Sequence, residues 1–343
     1  MALLQKVNYL RSYRFFALFA LLIATVVQLS SYASIVKVDF DKSMGIEERG
    51  RFNLMFNDPE RSDKFYHFYK NLYNKNIISE DIDESLRIPK IIHQIWIGPK
   101  PFPELYELYA GTCKSVHPGW KYILWTNKDV ESVLAINQKY KRLYKEYEKH
   151  GHFSGQKDIL EYLILYKHGG VFLDADIECK KSFSEIQRKY DFFSALEPAN
   201  RWSPIPIMTN AIIGTKKNDQ IFIDTLDMAV KKYDIMYDQS NTGYRKIIRS
   251  IKKILGMSKK SIRVPDQRLV LMSSLGENFV ENNTLYNEQA IVFPATYFNP
   301  IMPQVGRYDV LDEIKYRLGI YKNKGKTFTK VKDETIAVQD FYD

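Results

Sequence analysis

Apolar and polar positions change places along this chain at intervals that mark a succession of strands and helices. IPKIIHQIWI (Ile88 to Ile97) is a nearly continuous apolar run of strand length, and WKYILWT (Trp120 to Thr126) is a second, rich in aromatic residues. Between them ELYELYAGTCKSVH reads as a helix. From Gly155 to about Lys167 the apolar positions Ile159, Leu160, Leu163 and Ile164 fall on one helical face; Ser154 can cap that helix, and the Gly169-Gly170 pair ends it. VFLDAD then reads as a third strand, FFSAL and NAIIG as a fourth and fifth. Strand and helix alternate without an internal repeat. This predicts an α/β fold over residues 88–343, a Rossmann-like, mostly parallel sheet with helices on both faces.

Upstream the pattern is different. Lys6, Arg11 and Arg14 stand ahead of FFALFALLIATVV (Phe15 to Val27), and no charge occurs from Phe15 to Val36. Residues 15–36 are long enough to cross a bilayer as a transmembrane helix. Cations in front of them predict a cytoplasmic N-terminus (1–14) and a signal anchor, that is, a single-pass type II membrane protein whose body lies on the lumenal or extracytoplasmic side. A cleavable signal peptide, with Ser31-Tyr32-Ala33 as its small-x-small site and a secreted body as its outcome, is the competing reading. Residues 37–87 are polar but carry Phe65, Tyr66, Phe68, Tyr69 and Tyr73, and read as a partly helical stem packed on the body.

Composition narrows the class. With 343 residues, 45% of them hydrophobic, the chain can bury a full-sized core. The formal charge of +9 and pI near 9.1 favour anionic partners, nucleotide phosphates and lipid headgroups among them. No zinc-ligand spacing, RNA-recognition signature or basic heptad array accompanies the charge, so nucleic acid is not expected as a partner. Cys113 and Cys179 are the only cysteines, which excludes a metal-thiolate cluster or a disulfide scaffold. They read as two buried free thiols, with a single disulfide as the alternative.

Candidate chemistry gathers in GGVFLDADIE (Gly169 to Glu178). Asp-x-Asp spacing alone says little, since Asp39-Asp41 and Asp81-Asp83 repeat it. Asp174 and Asp176, however, stand where the apolar run Val171 to Leu173 gives out, and in an open parallel sheet ligands sit beyond the carboxyl ends of the strands. In an extended chain both side chains point to one side, with Ala175 opposite. Two such carboxylates repel unless a cation sits between them. A hard divalent ion, Mn²⁺ or Mg²⁺, takes oxygen ligands and can bridge the pair to a diphosphate. The same run also approaches the hydrophobic-Asp-x-Asp pattern of haloacid-dehalogenase-like phosphatases, although Glu178 stands where that pattern wants Thr or Val.

IPKIIHQIWIG, YILWTN and KDILEYLILYKHGGVFLDADIEC, in that order, resemble glycosyltransferase family 32. That family includes the yeast initiating α-1,6-mannosyltransferase and the inositol-phosphoceramide mannosyltransferases, and is more remotely similar to the clostridial glucosylating toxins. The likeness covers roughly Ile88 to Pro300. It implies a GT-A fold, a nucleotide-sugar donor (a UDP- or GDP-sugar), Mn²⁺ or Mg²⁺ as cofactor, transfer of a hexose with retention at the anomeric carbon, and a glycan or lipid-linked acceptor. Carried over by position, the resemblance implies Asp174 and Asp176 at the metal and the donor's diphosphate and ribose. It likewise implies Trp96 on the nucleotide base, with His93 and Gln94 of the same motif on the substrate side, Asp158 on donor-sugar hydroxyls and Asn210 near the sugar. Asp158 and Asp176 are then the catalytic candidates.

Several positions depart from the family. A basic residue usually stands three positions after the helix aspartate, where this chain has Glu161. Lys157, one turn earlier, can pair with Glu161 and is expected to supply positive charge beside the diphosphate. The later Thr-Gly-Pro segment appears as SSLGENF (Ser273 to Phe279), and Gln339 falls where members commonly carry a His. These departures keep a non-catalytic sugar-nucleotide-binding descendant open beside the enzyme. Finally, GYRKIIRSIKKILG (Gly243 to Gly256) sets Ile247, Ile248, Ile251, Ile254 and Leu255 on one arc of a helix, with Arg245, Arg249, Lys252 and Lys253 on the other side. It reads as a surface helix with a solvated basic face, contact with an anionic membrane being the alternative.

Overall fold

The computed structural model describes residues 35–44, 59–77, 87–197, 206–241, 274–280, 289–298 and 334–339. Apart from Ile35 and Val36, the expected anchor or signal segment lies outside them, as does the basic helix from Gly243 to Gly256. Among the described residues no helix is long and apolar enough to cross a membrane.

Strands β1 (Ile91–Trp96), β2 (Lys121–Thr126) and β3 (Gly170–Leu173) are the three apolar runs read from the sequence. A short β4 (Ile177–Cys179) follows, then β5 (Phe192–Leu196), β6 (Met208–Thr215), β7 (Ala290–Phe293) and β8 (Ala337–Gln339). Six of them form one sheet in the order β2-β1-β3-β6-β5-β7, while β4 and β8 pair as a separate antiparallel ladder. β1 is parallel to both β2 and β3, and β5 to β7; β6 runs antiparallel to β3 and β5. The sheet is therefore mixed, with β6, the NAIIG run, as the reversed strand. Its direction follows from its link. Glu197 N–H donates to the Ile207 carbonyl at 2.8 Å, so residues 197–207 alone join two neighbouring strands, fewer than the roughly dozen residues a parallel crossover needs.

Helices α1 (Phe40–Met44), α2 (Pro59–Asn76), α3 (Glu104–Val116), α4 (Val130–Leu134), α5 (Lys141–Lys149), α6 (Phe153–His168), α7 (Ile186–Lys189) and α8 (Ile221–Asn241) accompany the strands. α6 departs from the one-faced helix expected of it. Every residue from Gly155 to Leu165 except Lys157 is buried, Gln156, Asp158 and Glu161 included. The helix is enclosed because α5 and α8 cover what the sheet does not: the Tyr147 ring lies where a Cβ on Gly155 would come within 3.0 Å, and Tyr162 meets Phe222 at 5.6 Å between ring centroids. α6 also starts earlier than expected, with His152 at the cap position, so Ser154 lies in the first turn and caps nothing.

The glycine pair does end α6. Gly169 and Gly170 have φ of 60° and 95°, and a Cβ on Gly170 would stand 2.6 Å from the Ile91 carbonyl oxygen. Only residues without a side chain let the chain pass so directly from α6 into β3. At the far edge of the sheet, Tyr69 and Tyr73 of α2 are fully buried, Tyr73 Oη lies 2.9 Å from Tyr297 Oη, and Asn76 donates to the Ala290 carbonyl of β7 at 2.6 Å. The reading of Cys113 and Cys179 as free thiols is overturned. α3 packs on β4, bringing their Cα atoms to 4.8 Å, and the two form a disulfide.

Candidate active site

β3 stops at Leu173 and the chain turns at once. Asp174 N–H donates to the Ala211 carbonyl of β6 at 2.8 Å, and the Asp174 carbonyl accepts from Gln94 Nε2 of β1 at 3.0 Å and from Ile177 N–H at 3.2 Å. The extended arrangement expected for Asp174 and Asp176 is thereby corrected: they occupy a tight turn, because the chain leaves the large sheet here to pair with β8. The turn still keeps the two carboxylates close enough to feel each other. Burial, and then the charge of Asp174, push the Asp176 carboxyl up to about 7. Gln339, which faces Ile177 across the ladder, donates Nε2 to Asp176 Oδ2 at 3.3 Å.

From α6, Lys157 reaches the same place. Its Nζ lies 2.7 Å from Asp174 Oδ1, 3.1 Å from Asp158 Oδ1 and 3.3 Å from Glu161 Oε2, so the expected pairing with Glu161 is present and two further carboxylates share the ammonium. Partial withdrawal from water alone would lower the lysine's pKa, but Asp174, Asp158 and Glu161 together hold it well above the usual range. Glu161 moves the same way for a different reason: it is fully buried beside Asp158 and Asp174, which favours its neutral form. Asn210 of β6 donates Nδ2 to Asp158 Oδ1 at 2.9 Å, so the residue expected near the sugar orients the helix aspartate.

The β1 motif divides into parts. His93 is fully buried, with Nδ1 accepting from Trp125 Nε1 at 3.1 Å and Nε2 donating to the Gly169 carbonyl at 2.9 Å. Burial holds it neutral, with its pKa down to about 4. No polar ring atom is left for a substrate; His93 ties β1 to β2 and to the end of α6. Gln94 is likewise internal, accepting from Tyr122 Oη at 2.5 Å while it holds the Asp174 carbonyl. Trp96 is half-buried, its Nε1 donating to the Lys100 carbonyl at 2.9 Å, and its ring meets Phe102 and Tyr106 edge-on. Asn127, the last letter of the YILWTN motif, clamps the loop after β1 through Gly98, accepting from its N–H at 2.8 Å and donating to its carbonyl at 2.7 Å.

Sequence reasoning missed one acid. Glu197 follows β5 directly, and burial, then the charge of Asp174, push its carboxyl up to about 7. The signal was the one that singled out Asp174, an acid just past an apolar strand. Asp174 and Asp176 suit a hard divalent ion: two oxygen donors in one turn, repelling each other and with a primary amide alongside. Among the described residues no group of three or more His, Cys, Asp or Glu side chains forms a metal cage.

Residues 103–193, from just ahead of α3 through the Asp174 turn into β5, match the family described as the glycosyltransferase sugar-binding region containing the DXD motif. Over 115 residues the chain is 32% identical to inositol phosphoceramide mannosyltransferase 3 of Schizosaccharomyces pombe, covering 34% of this chain and 31% of that protein. Over 100 residues it is 34% identical to the initiation-specific alpha-1,6-mannosyltransferase of Candida albicans, covering 27% and 26%. The chain thus spans about a third or less of the length of these curated relatives. Among solved structures, the UDP-bound glycosyltransferase domain from the YGT toxin aligns with 61% of this chain and 80% of its own, at 11% identity and a TM-score of 0.41. The likeness to family 32 read from the motifs is borne out, and it is residues 103–193 that match the DXD-containing sugar-binding region of glycosyltransferases.

Proposed function

We propose that this chain is a metal-dependent, retaining hexosyltransferase of GT-A type that moves a hexose from a UDP- or GDP-sugar to a glycan or glycolipid acceptor, its body held on the extracytoplasmic side of a membrane. The observation that carries this reading is the Asp174 turn at the carboxyl end of β3, inside the matched region, with Lys157 and Asp158 brought to it by α6 and Gln339 by β8. The similar yeast proteins are named for mannosyl transfer, which puts mannose first among the hexoses.

In this reading Asp174 and Asp176 hold Mn²⁺ or Mg²⁺, which when bound supplies positive charge against the departing diphosphate. Gln94 and Ala211 fix the main chain of Asp174, so its carboxylate is placed before substrate arrives. Asp158, oriented by Asn210, accepts from donor-sugar hydroxyls. Trp96 offers its ring to the base and Lys157 its ammonium to the phosphates.

The test is direct. The 343-residue chain in detergent, with Mn²⁺ and a panel of UDP- and GDP-sugars, is expected to release nucleoside diphosphate from one donor and to lose that activity in EDTA. No release from any donor, together with phosphate release from a simple monoester, overturns the reading in favour of a phosphatase. NMR of the product's anomeric proton checks retention.

A further inference from the structure

Lys157 is the single residue between Gly155 and Leu165 of α6 that is not buried, with 18% of its side chain exposed. Three carboxylates from two elements surround its ammonium, and Asp174 is the nearest. The Phe172 ring lies beneath it, 5.0 Å from Nζ to the ring centroid. The positive charge next to Asp174 is thus supplied by the chain itself.

We propose that Lys157 is a built-in counter-cation that holds Asp174 until the donor arrives and then passes to the donor's phosphates, coupling divalent-ion uptake to nucleotide-sugar binding. The inference rests on the reading of the site given above. A divalent ion on Asp174 would meet an ammonium at hydrogen-bonding distance from the same carboxylate, and like charges repel strongly in a poorly solvated site. The ammonium must therefore yield Asp174, keeping Asp158 and Glu161 as the partners on its own helix. Diphosphate oxygens offer it a replacement for the carboxylate it gives up, through charge-assisted hydrogen bonds. Each ligand then makes room for, or rewards, the other, and such coupling is reciprocal. The turn need not move in the exchange, because Ala211 and Gln94 hold the Asp174 main chain independently of Lys157.

A sign reversal sets this apart from a plain phosphate-binding lysine and from a purely structural one. Two variants of the 343-residue chain are compared with wild type: Lys157→Met, and Lys157→Met with Glu161→Gln, which replaces the buried carboxyl group that the first variant leaves without its ammonium partner. Thermal melting first establishes that at least one of them is folded. Mn²⁺ affinity without nucleotide, read by electron paramagnetic resonance, is expected to rise about tenfold in the variants. UDP or GDP affinity in saturating Mn²⁺, read by calorimetry, is expected to fall about tenfold. Unchanged or weaker Mn²⁺ binding overturns the exchange, as does a change of both affinities in the same direction. Failure of both variants to fold makes Lys157 a structural strut and also overturns it. A wild-type protein that takes up no Mn²⁺ removes the reading of the site along with the exchange, whereas the direction of change in the variants bears on the exchange alone.

Discussion

Gln339 donates its side-chain amide to the Asp176 carboxylate although 163 positions separate the two residues. Hydrogen bonds to charged groups are worth about 1.5 to 3 kcal/mol, and here the bond also fixes which way a proposed metal ligand points. Gln339→Leu is expected to lower Mn²⁺-dependent nucleotide release roughly tenfold or more, by the same energies. Titration of turnover against Mn²⁺ checks it, and an unchanged Mn²⁺ dependence contradicts it.

Asp176 itself has the larger effect. Asp176→Asn removes the charge but keeps the shape, so turnover is expected to fall by about a hundredfold or more while the melting temperature holds, since one electrostatic partner of a developing charge contributes on that scale. Turnover indifferent both to this change and to EDTA would remove the metal from the site.

Trp96 keeps its indole nitrogen on the Lys100 carbonyl and its edges or faces against Phe102 and Tyr106, which fixes the plane of the ring. A fixed aromatic plane suits stacking on a base, worth roughly 1 to 3 kcal/mol. Trp96→Ala should therefore weaken nucleotide binding by that amount with little effect on melting. A large fall in melting temperature at unchanged affinity would instead make Trp96 a packing residue.

His117 gives a prediction about pH. It is buried, with Nδ1 2.7 Å from the Cys113 carbonyl oxygen and Nε2 accepting from Phe183 N–H at 2.9 Å, and burial takes its pKa down to about 4. A histidine kept neutral in the fold contributes stability that is whole above its ordinary pKa of about 6.5 and is lost as pH falls toward the folded value. Asp176 and Glu197, both raised to about 7, act in the opposite sense over much of the same range, so the total profile hides the effect. The difference between wild type and His117→Gln isolates it. Urea unfolding should show that difference shrinking by up to ~3 kcal/mol between about pH 6.5 and pH 4. A constant difference contradicts it.

The disulfide joins α3 to β4, immediately after the Asp174 turn. Bonds of this kind persist in oxidising compartments, which supports the proposed extracytoplasmic body. Alkylation of the unfolded, unreduced protein is expected to label neither cysteine, and Cys113→Ala with Cys179→Ala to cost about 2 to 4 kcal/mol of stability by urea unfolding. Two labelled thiols would contradict both the bond and the compartment.

What could be read in advance was local. The runs of β1, β2 and β3, the helix before the glycine pair and the acids after Leu173 carry their signals within a few residues of themselves. The direction of β6 depended on a strand pairing that periodicity does not report. β4 and β8 have three residues each and exist only because they pair with each other, so no pattern within either announces it. The disulfide needed the approach of α3 to β4, and the polar burial of α6 needed its second cover of helices. Around the turn, Lys157 meets Asp174 and Asp158, Asp176 stands two residues on, and Asn210 joins through Asp158. His93 and Gln94 turn inward, and a buried interior role leaves no mark in a sequence that distinguishes it from a binding one.

The β4–β8 ladder also gives the protein a schedule. Lys157 and Asp174 are 17 positions apart and can meet soon after both have been made, but the amide that steadies Asp176 comes 163 positions after it. At about 5 to 20 residues per second, translation takes roughly ten to thirty seconds to cover that interval. During that time a nascent chain carries Asp176 without the Gln339 amide that meets it in the finished fold.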